Sequence, residues 1–295
     1  MYTGEVNALI SLIEDPDESI YLQVRSELKN YGEDIIPHLE HFWELNDFGT
    51  LFQTRLEELI SSIQYDSVYN RLKKWIASEE KDLLEGALII NRYGYPGCDE
   101  DELRRIVSRI RQDIWLELND NLTAVEVVRV FNHMLFKVYG FEGDRDSYDQ
   151  PQNSFFSDVL TNKRGNPLSL SILYGYLAKA LDIPLYGVNL PSHFILCYLD
   201  LDPDYRDWGI SEKDADILFY VNPFSQGTML MKEEIDEFLR THNLPQDERF
   251  YKPCSNVDMI SRMINNLIHT YIAKNQEDKV RELKSLQSVL LEWTV

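Results

Sequence analysis

The sequence is poor in cysteine, in basic residues and in long apolar runs, and each shortage excludes a class of protein. Its 295 residues include only three cysteines, Cys98, Cys197 and Cys254. An odd, widely spaced set of this kind is neither a disulfide framework nor a zinc-binding pattern, and it suits a reducing compartment. No apolar run approaches the roughly 20 residues that a membrane helix needs, and the N-terminus lacks a basic signal segment. We therefore expect a cytoplasmic protein with no membrane partner.

Acidic side chains outnumber basic ones by 50 to 29, which gives a formal net charge of −21. Such a surface repels phosphate backbones and anionic lipids, so a nucleic-acid partner is not expected. The charge is explained by solubility, with a specific basic partner as the alternative. Hydrophobic residues make up 44% of the chain, which is enough to build cores and argues against wholesale disorder.

The first hundred residues have the periodicity of successive amphipathic helices. Val6, Leu9, Ile10 and Ile13 follow the i, i+3, i+4, i+7 spacing of one apolar helix face. A break at residues 15–17 separates this stripe from the next one. The segment LISLIEDPDESIYLQVRSELKNYGEDIIPHLE resembles a single HEAT-type helical repeat. Stacked helices are the natural way to bury such faces, so we predict a HEAT-like helical repeat region over residues 1–100.

The remaining chain mixes helices with short strands. Thr123 and Glu126 have the spacing of a capping box, and Asn166 followed by Pro167 marks the start of a further helix. Period-two alternation then predicts strands over 185–190, 193–198 and 217–221. Residues 251–295 resemble a TPR-like helical pair. We therefore predict a predominantly helical α+β fold with three domains, at residues 1–100, 101–250 and 251–295, the central one containing a small antiparallel sheet.

The central segment contains GNPLSLSILYGYLAKALDIP, then GVNLPSHF, then VNPF. In combination these resemble the transglutaminase-like superfamily within the papain-type fold, and they are most similar to its SirB-type branch. The resemblance covers about residues 123–240. Members of this family often pair the domain with helical repeats, which agrees with both flanks of this chain.

The resemblance implies a site built from a cysteine at a helix start, a histidine base and an orienting aspartate. The helix start corresponds to residues 167–169, where this chain has Ser169 and no cysteine. His193 matches the histidine, and Asn222 stands where the family usually has aspartate. The implied triad of Ser169, His193 and Asn222 is therefore degenerate, and no cofactor is expected.

Neither a second cysteine nor a serine replaces the missing thiolate easily. Cys197 lies four residues after His193, roughly 13 Å away along a strand. Ser169 falls at the third helical position, where its hydroxyl can bond the local backbone, and Asn222 cannot offset charge on an imidazolium. We predict a non-catalytic scaffold that binds a protein partner or regulates it. The alternative is a hydrolase or acyl transferase of altered chemistry that uses Ser169 and His193, or Ser171 in place of Ser169.

A polar loop before the central helix resembles a further segment of the family. It contains Tyr148, Asp149, Asn153 and Ser154. One interpretation is a cleft wall that contacts a ligand, and the other is a loop held together by Asx-type turns. The sequence does not separate these two interpretations.

Two weaker patterns lead to no metal-site prediction. His38 and His41 lack a third ligand, so a surface helix is favoured over a metal pair. Asp200, Asp202 and Asp204 alternate within the acidic loop 199–216, which lacks the glycine and terminal glutamate of a calcium-binding loop. A solvated acidic loop is therefore favoured, with calcium binding as the alternative.

Overall fold

A computed structural model describes residues 4–44, 49–146, 150–200 and 216–292. The chain divides into two compact units, Met1–Lys73 and Lys74–Val295. The division into three domains at residues 100 and 250 stays a prediction. None of the helices within the described residues is both long enough and apolar enough to cross a bilayer.

The first unit is built from helices. These are α1 (Gly4–Ser11), α2 (Glu18–Lys29), α3 (Ile36–Glu44) and α4 (Thr50–Ala77), the last of which runs into the second unit. The predicted stripe on the first helix faces the core, where Val6, Ile10 and Ile13 are buried and Leu9 is partly buried. The Asp15 turn is held by Arg55, whose guanidinium donates to the carbonyls of Ile13 and Asp15 at 3.0 and 2.7 Å. The identification of a HEAT-like repeat stays a prediction.

The second unit begins with helices and includes several more around the sheet. They are α5 (Leu83–Gly94), α6 (Glu100–Glu117), α7 (Ala124–Asn132), α8 (Phe156–Asn162), α9 (Pro167–Lys179), α10 (Lys232–Thr241), α11 (Asn256–Ala273) and α12 (Glu277–Leu291). A π-helical turn, His133–Val138, follows α7 directly. The predicted capping box of Thr123 and Glu126 is confirmed at the start of α7.

Strands form two sheets. Strands β1 (Glu142–Gly143) and β2 (Arg164–Gly165) pair in parallel. Strands β3 (Leu185–Val188), β4 (Ile195–Leu199), β5 (Ile217–Asn222) and β6 (Thr228–Leu230) form an antiparallel sheet in that order. The three predicted strands correspond to β3, β4 and β5. The predicted fold class, predominantly helical α+β with a small antiparallel sheet, is therefore confirmed.

Helices α9 and α10 pack against the antiparallel sheet. One apolar cluster joins the sheet to α10 and includes Val188, Ile195, Cys197, Ile235 and Leu239. Helix α9 packs against β3, β4 and the short turn Pro223–Ser225 that follows β5. The start of α9 and the end of β5 therefore belong to one region of the second unit.

Candidate functional site

The hydroxyl of Ser169 is bound within the first turn of α9. The backbone N–H of Asn166 donates to Ser169 Oγ at 3.0 Å, and the N–H of Ser169 donates to Asn166 Oδ1 at 2.9 Å. Ser169 Oγ in turn donates its proton to the Asn166 carbonyl at 3.2 Å. These contacts form a reciprocal capping box. The expectation that this hydroxyl bonds the local backbone is confirmed.

Burial closes off both candidate serines. Ser169 is 2% exposed and Ser171 is fully buried, with its hydroxyl donated to the Pro167 carbonyl at 2.7 Å. A Cβ added to Gly165 would lie 2.6 Å from Ser169 Oγ, so the preceding strand covers the hydroxyl directly. Across the part of the chain that the structure describes, no hydrogen bond joins either serine to His193.

The side chain of Ser154 contacts the start of α9, and the side chain of Asn153 contacts Asp144, which follows β1. The amide of Asn166 donates from Nδ2 to Ser154 Oγ at 3.0 Å. Asn153 donates from Nδ2 to Asp144 Oδ2 at 3.2 Å. Both supporting side chains are buried. Tyr148 and Asp149 lie outside the described residues, so the ligand-contact interpretation of this loop stays a prediction.

His193 lies two residues before β4 rather than on the predicted strand. Ser192 adopts a left-handed backbone conformation, with φ of 58°, and the N–H of His193 donates to the Leu190 carbonyl at 3.2 Å. This turn delays the start of the strand. The imidazole contacts two phenyl rings, with centroid distances of 6.2 Å to Phe224 and 6.1 Å to Phe238.

Asn222 is brought to His193 at the end of β5. Its side chain approaches the imidazole closely enough to raise the pKa of His193. Its Oδ1 also accepts from the N–H of Ser225 at 3.3 Å, which caps the turn Pro223–Ser225. The structure therefore unites two of the three residues of the predicted triad, while Ser169 bonds its own helix start.

The environment of His193 favours the neutral imidazole. Burial is the largest cause and lowers the pKa of His193 below 6.5, and the positive charge of Arg262 lowers it further. The side chain of Asn222 acts in the opposite direction and raises the pKa. The net shift is downward, so His193 is uncharged at neutral pH.

The depressed pKa predicts a pH dependence of stability. Because protonation is disfavoured in the folded state, the stabilisation is present above pH 6.5 and is lost as the pH falls from there through the folded-state pKa. We expect the free energy of unfolding to decrease over this range by more in the natural protein than in His193→Gln. Urea titrations of both proteins at several pH values measure the difference. Parallel pH curves would contradict the prediction.

The three cysteines are free and lie in environments that hold the thiol protonated. Burial raises the pKa of Cys197 and of Cys254 to about 12. Burial also raises the pKa of Cys98. A reactive cysteine has the opposite shift, since the thiolate is the nucleophile. These environments do not favour any of the three as a nucleophile.

Of the two weak metal-binding patterns in the sequence, the structure describes the histidine pair but only the ends of the acidic loop 199–216. His38 Nε2 hydrogen-bonds Asn7 Oδ1 at 2.7 Å, and both His38 and His41 contact the ring of Phe42. Among the residues that the structure describes, no group of three or more His, Cys, Asp and Glu side chains is arranged to hold a metal ion. Asp202 and Asp204 lie outside the described residues, so the solvated loop and its calcium-binding alternative both stay predictions.

Sequence reasoning missed the aromatic surroundings of His193 and the cation beside it. Phe224 follows Asn222 within the VNPF motif, so its position was open to inference. Phe238 and Arg262 come from α10 and α11, and no local pattern links either residue to a histidine earlier in the chain. Their positions near His193 depend on how α10 and α11 pack within the second unit.

A model of the transglutaminase-like superfamily matches residues 100–265, which is more than half of the chain. The chain therefore belongs to this superfamily. A UPF0162 protein of Xylella fastidiosa (strain 9a5c) is 28% identical over 211 residues, covering 69% of this chain and 70% of the relative. The UPF0162 protein YchA of Escherichia coli (strain K12) is 28% identical over 196 residues, covering 65% of each. These relatives confirm the SirB-type branch.

A second kind of relative is larger. F-box only protein 21 of Mus musculus is 24% identical over 238 residues, which is 72% of this chain and 36% of that protein. No solved structure matches the chain.

Proposed function

We propose that this transglutaminase-like protein is non-catalytic and acts by binding a protein partner, as a scaffold or a regulator. The absence of catalysis is supported by the burial and the hydrogen bonds of Ser169. At the position where the superfamily places its nucleophile, this chain has a buried hydroxyl whose proton is donated to the backbone of its own helix. A nucleophile needs a base within hydrogen-bond reach and access to a substrate. The hydroxyl of Ser169 is buried, and its hydrogen bonds are made to Asn166 and not to His193.

The surroundings of His193 support the same conclusion. A general base works best when its pKa lies near the working pH, and burial lowers the pKa of this imidazole. Asn222 orients the ring but carries no charge to stabilise an imidazolium. The serine-hydrolase alternative therefore lacks both an available hydroxyl and a strong base.

Exposed apolar side chains on the first unit support the partner-binding half. Leu22, Trp43 and Leu51 are 52%, 44% and 46% exposed. Tryptophan is a frequent anchor in protein interfaces because it buries a large area at little entropic cost. The acidic balance of the chain agrees with a partner that carries basic side chains.

Covalent labelling tests the absence of catalysis. We expect a fluorophosphonate probe and a thiol alkylator to form no adduct that depends on His193, as read by intact-protein and peptide mass spectrometry. His193→Ala and Ser169→Ala are the matched variants. An adduct on Ser169 or Ser171 that disappears in His193→Ala would overturn the non-catalytic assignment and favour the hydrolase.

Partner capture with point variants tests the binding half. Full-length protein is compared with Trp43→Ala and with His193→Ala after quantitative affinity purification from the native cell. Because Trp43 is exposed, its removal is not expected to change the free energy of unfolding. We expect the recovery of a specific partner to fall at least about tenfold in Trp43→Ala, the loss of one interface anchor. Equal recovery from all three proteins would exclude this surface as the binding site.

A further inference from the structure

Two neighbours of His193 belong to one short turn. Asn222 ends β5, and Phe224 follows within the turn Pro223–Ser225. The turn closes at Gly227, whose N–H donates to the Asn222 carbonyl at 2.8 Å. The position of Gly227 is therefore coupled to the backbone that carries Asn222 and Phe224.

Asn132 holds Gly227 from a distant part of the sequence. It is the last residue of α7, and its Nδ2 donates to the Gly227 carbonyl at 2.8 Å across a separation of 95 residues. Gly227 has a φ of +71°, and a Cβ added there would lie 1.7 Å from Asn132 Oδ1. The amide thus packs directly on the glycine backbone, which only a residue without a side chain allows.

Tyr174 on α9 sets the orientation of the Asn132 amide. Its hydroxyl donates to Asn132 Oδ1 at 3.1 Å, and its fully buried ring stacks on Phe131 with a centroid distance of 5.1 Å. Since the amide oxygen accepts from Tyr174, the amide nitrogen is left to face Gly227. Both ends of the amide are therefore fixed by buried or partly buried partners.

We propose that Asn132 is a positioning residue that, through Gly227, holds Asn222 and Phe224 against His193. The helix changes from α to π directly after Asn132, at His133, and π-helical turns often occur at functional sites. This role holds whether the pair of His193 and Asn222 binds a ligand or takes part in a reaction, so it does not depend on the proposed function.

An NMR titration of His193 in the full-length protein tests the role. Moving Asn222 away from the imidazole is expected to lower the pKa of His193, because the Asn222 side chain raises it. We expect Asn132→Ala and Asn222→Ala to shift the pKa of His193 in the same direction, downward. Asn132→Ala should cause a smaller change in an Asn222→Ala background, because only the contact of Phe224 with His193 is then left to disturb. Arg262 from α11 and His242, whose ring lies 4.3 Å from that of Phe238, are present in every variant.

Two further variants keep the test decisive. Tyr174→Phe removes only the hydroxyl that orients the amide, and it should shift the pKa of His193 in the same direction by less. Lys137→Met removes the exposed hydrogen bond from Lys137 Nζ to Gln226 Oε1, at 3.0 Å, in the same turn, and should leave the pKa unchanged. A His193 pKa that stays at its natural value in Asn132→Ala would overturn the proposal, as would an equal shift in the Asn222→Ala background. If Asn132→Ala does not fold, Tyr174→Phe decides in its place.

Discussion

Gly227→Ala is expected to lower the free energy of unfolding by about 3 kcal/mol or more, the sum of left-handed backbone strain and overpacking. The strain arises because Gly227 has a φ of +71°. The overpacking arises because the new methyl group would overlap Asn132 Oδ1, only 1.7 Å away. Asn132 is itself bonded to Tyr174, so it cannot move without breaking a second hydrogen bond. Urea denaturation measures the loss.

Gly140→Ala is the matched control for this change. Gly140 lies in the same unit and has nearly the same backbone angle, with a φ of +73°, but nothing lies within 4 Å of an added Cβ. Its substitution should cost only the backbone strain, about 1 kcal/mol. The difference between the two variants isolates the contact with Asn132. Equal losses of unfolding free energy in the two variants would show that the overlap with Asn132 adds no destabilisation.

Features that depend on neighbouring residues could be predicted from the sequence. Asn166, Pro167 and Ser169 lie within one helical turn, and the chemistry of helix capping is local, so the start of α9 was predicted correctly. The same holds for Thr123 and Glu126. The pairing of His193 with Asn222 came from the resemblance to the superfamily, since the two residues lie on different strands and no local pattern relates them.

Features that depend on distant residues could not be predicted. Asn132 and Gly227 are 95 residues apart, and nothing in either neighbourhood signals the other. Helices α8 and α10 were missed for a different reason. Helix α8 has only seven residues and lies inside a polar loop. Helix α10 follows β6 almost directly, and its cap position is occupied by Met231, which is not a preferred capping residue. Tertiary contacts stabilise such short helices more than their own sequence does.

The first turn of α9 uses its own polar groups to close the helix. In a catalytic superfamily member the free N–H groups of a helix start serve the reacting group. Here the N–H of Ser169 is bonded to Asn166, and the hydroxyl of Ser169 returns a hydrogen bond to the same residue. The N–H of Ser169 is therefore committed to the helix cap and is not left free. A substitution at Asn166 should therefore affect folding strongly.

Asn166→Ala is expected to lower the free energy of unfolding by about 3 kcal/mol, because it combines the loss of a helix cap with buried groups left unpaired. The N–H of Ser169 and the hydroxyl of Ser154 would both lose their partner inside the protein. Urea denaturation, followed by far-UV circular dichroism, measures the loss.

Thr123→Ala is the control, since Thr123 forms the same kind of capping box with Glu126 at an exposed helix start. Water can replace the lost contacts there, so the expected cost is only about 1 kcal/mol. Burial is thus the property that separates the two caps. If Asn166→Ala were as mild as Thr123→Ala, the start of α9 would be accessible to water, and the hydroxyl of Ser169 would again be a candidate nucleophile.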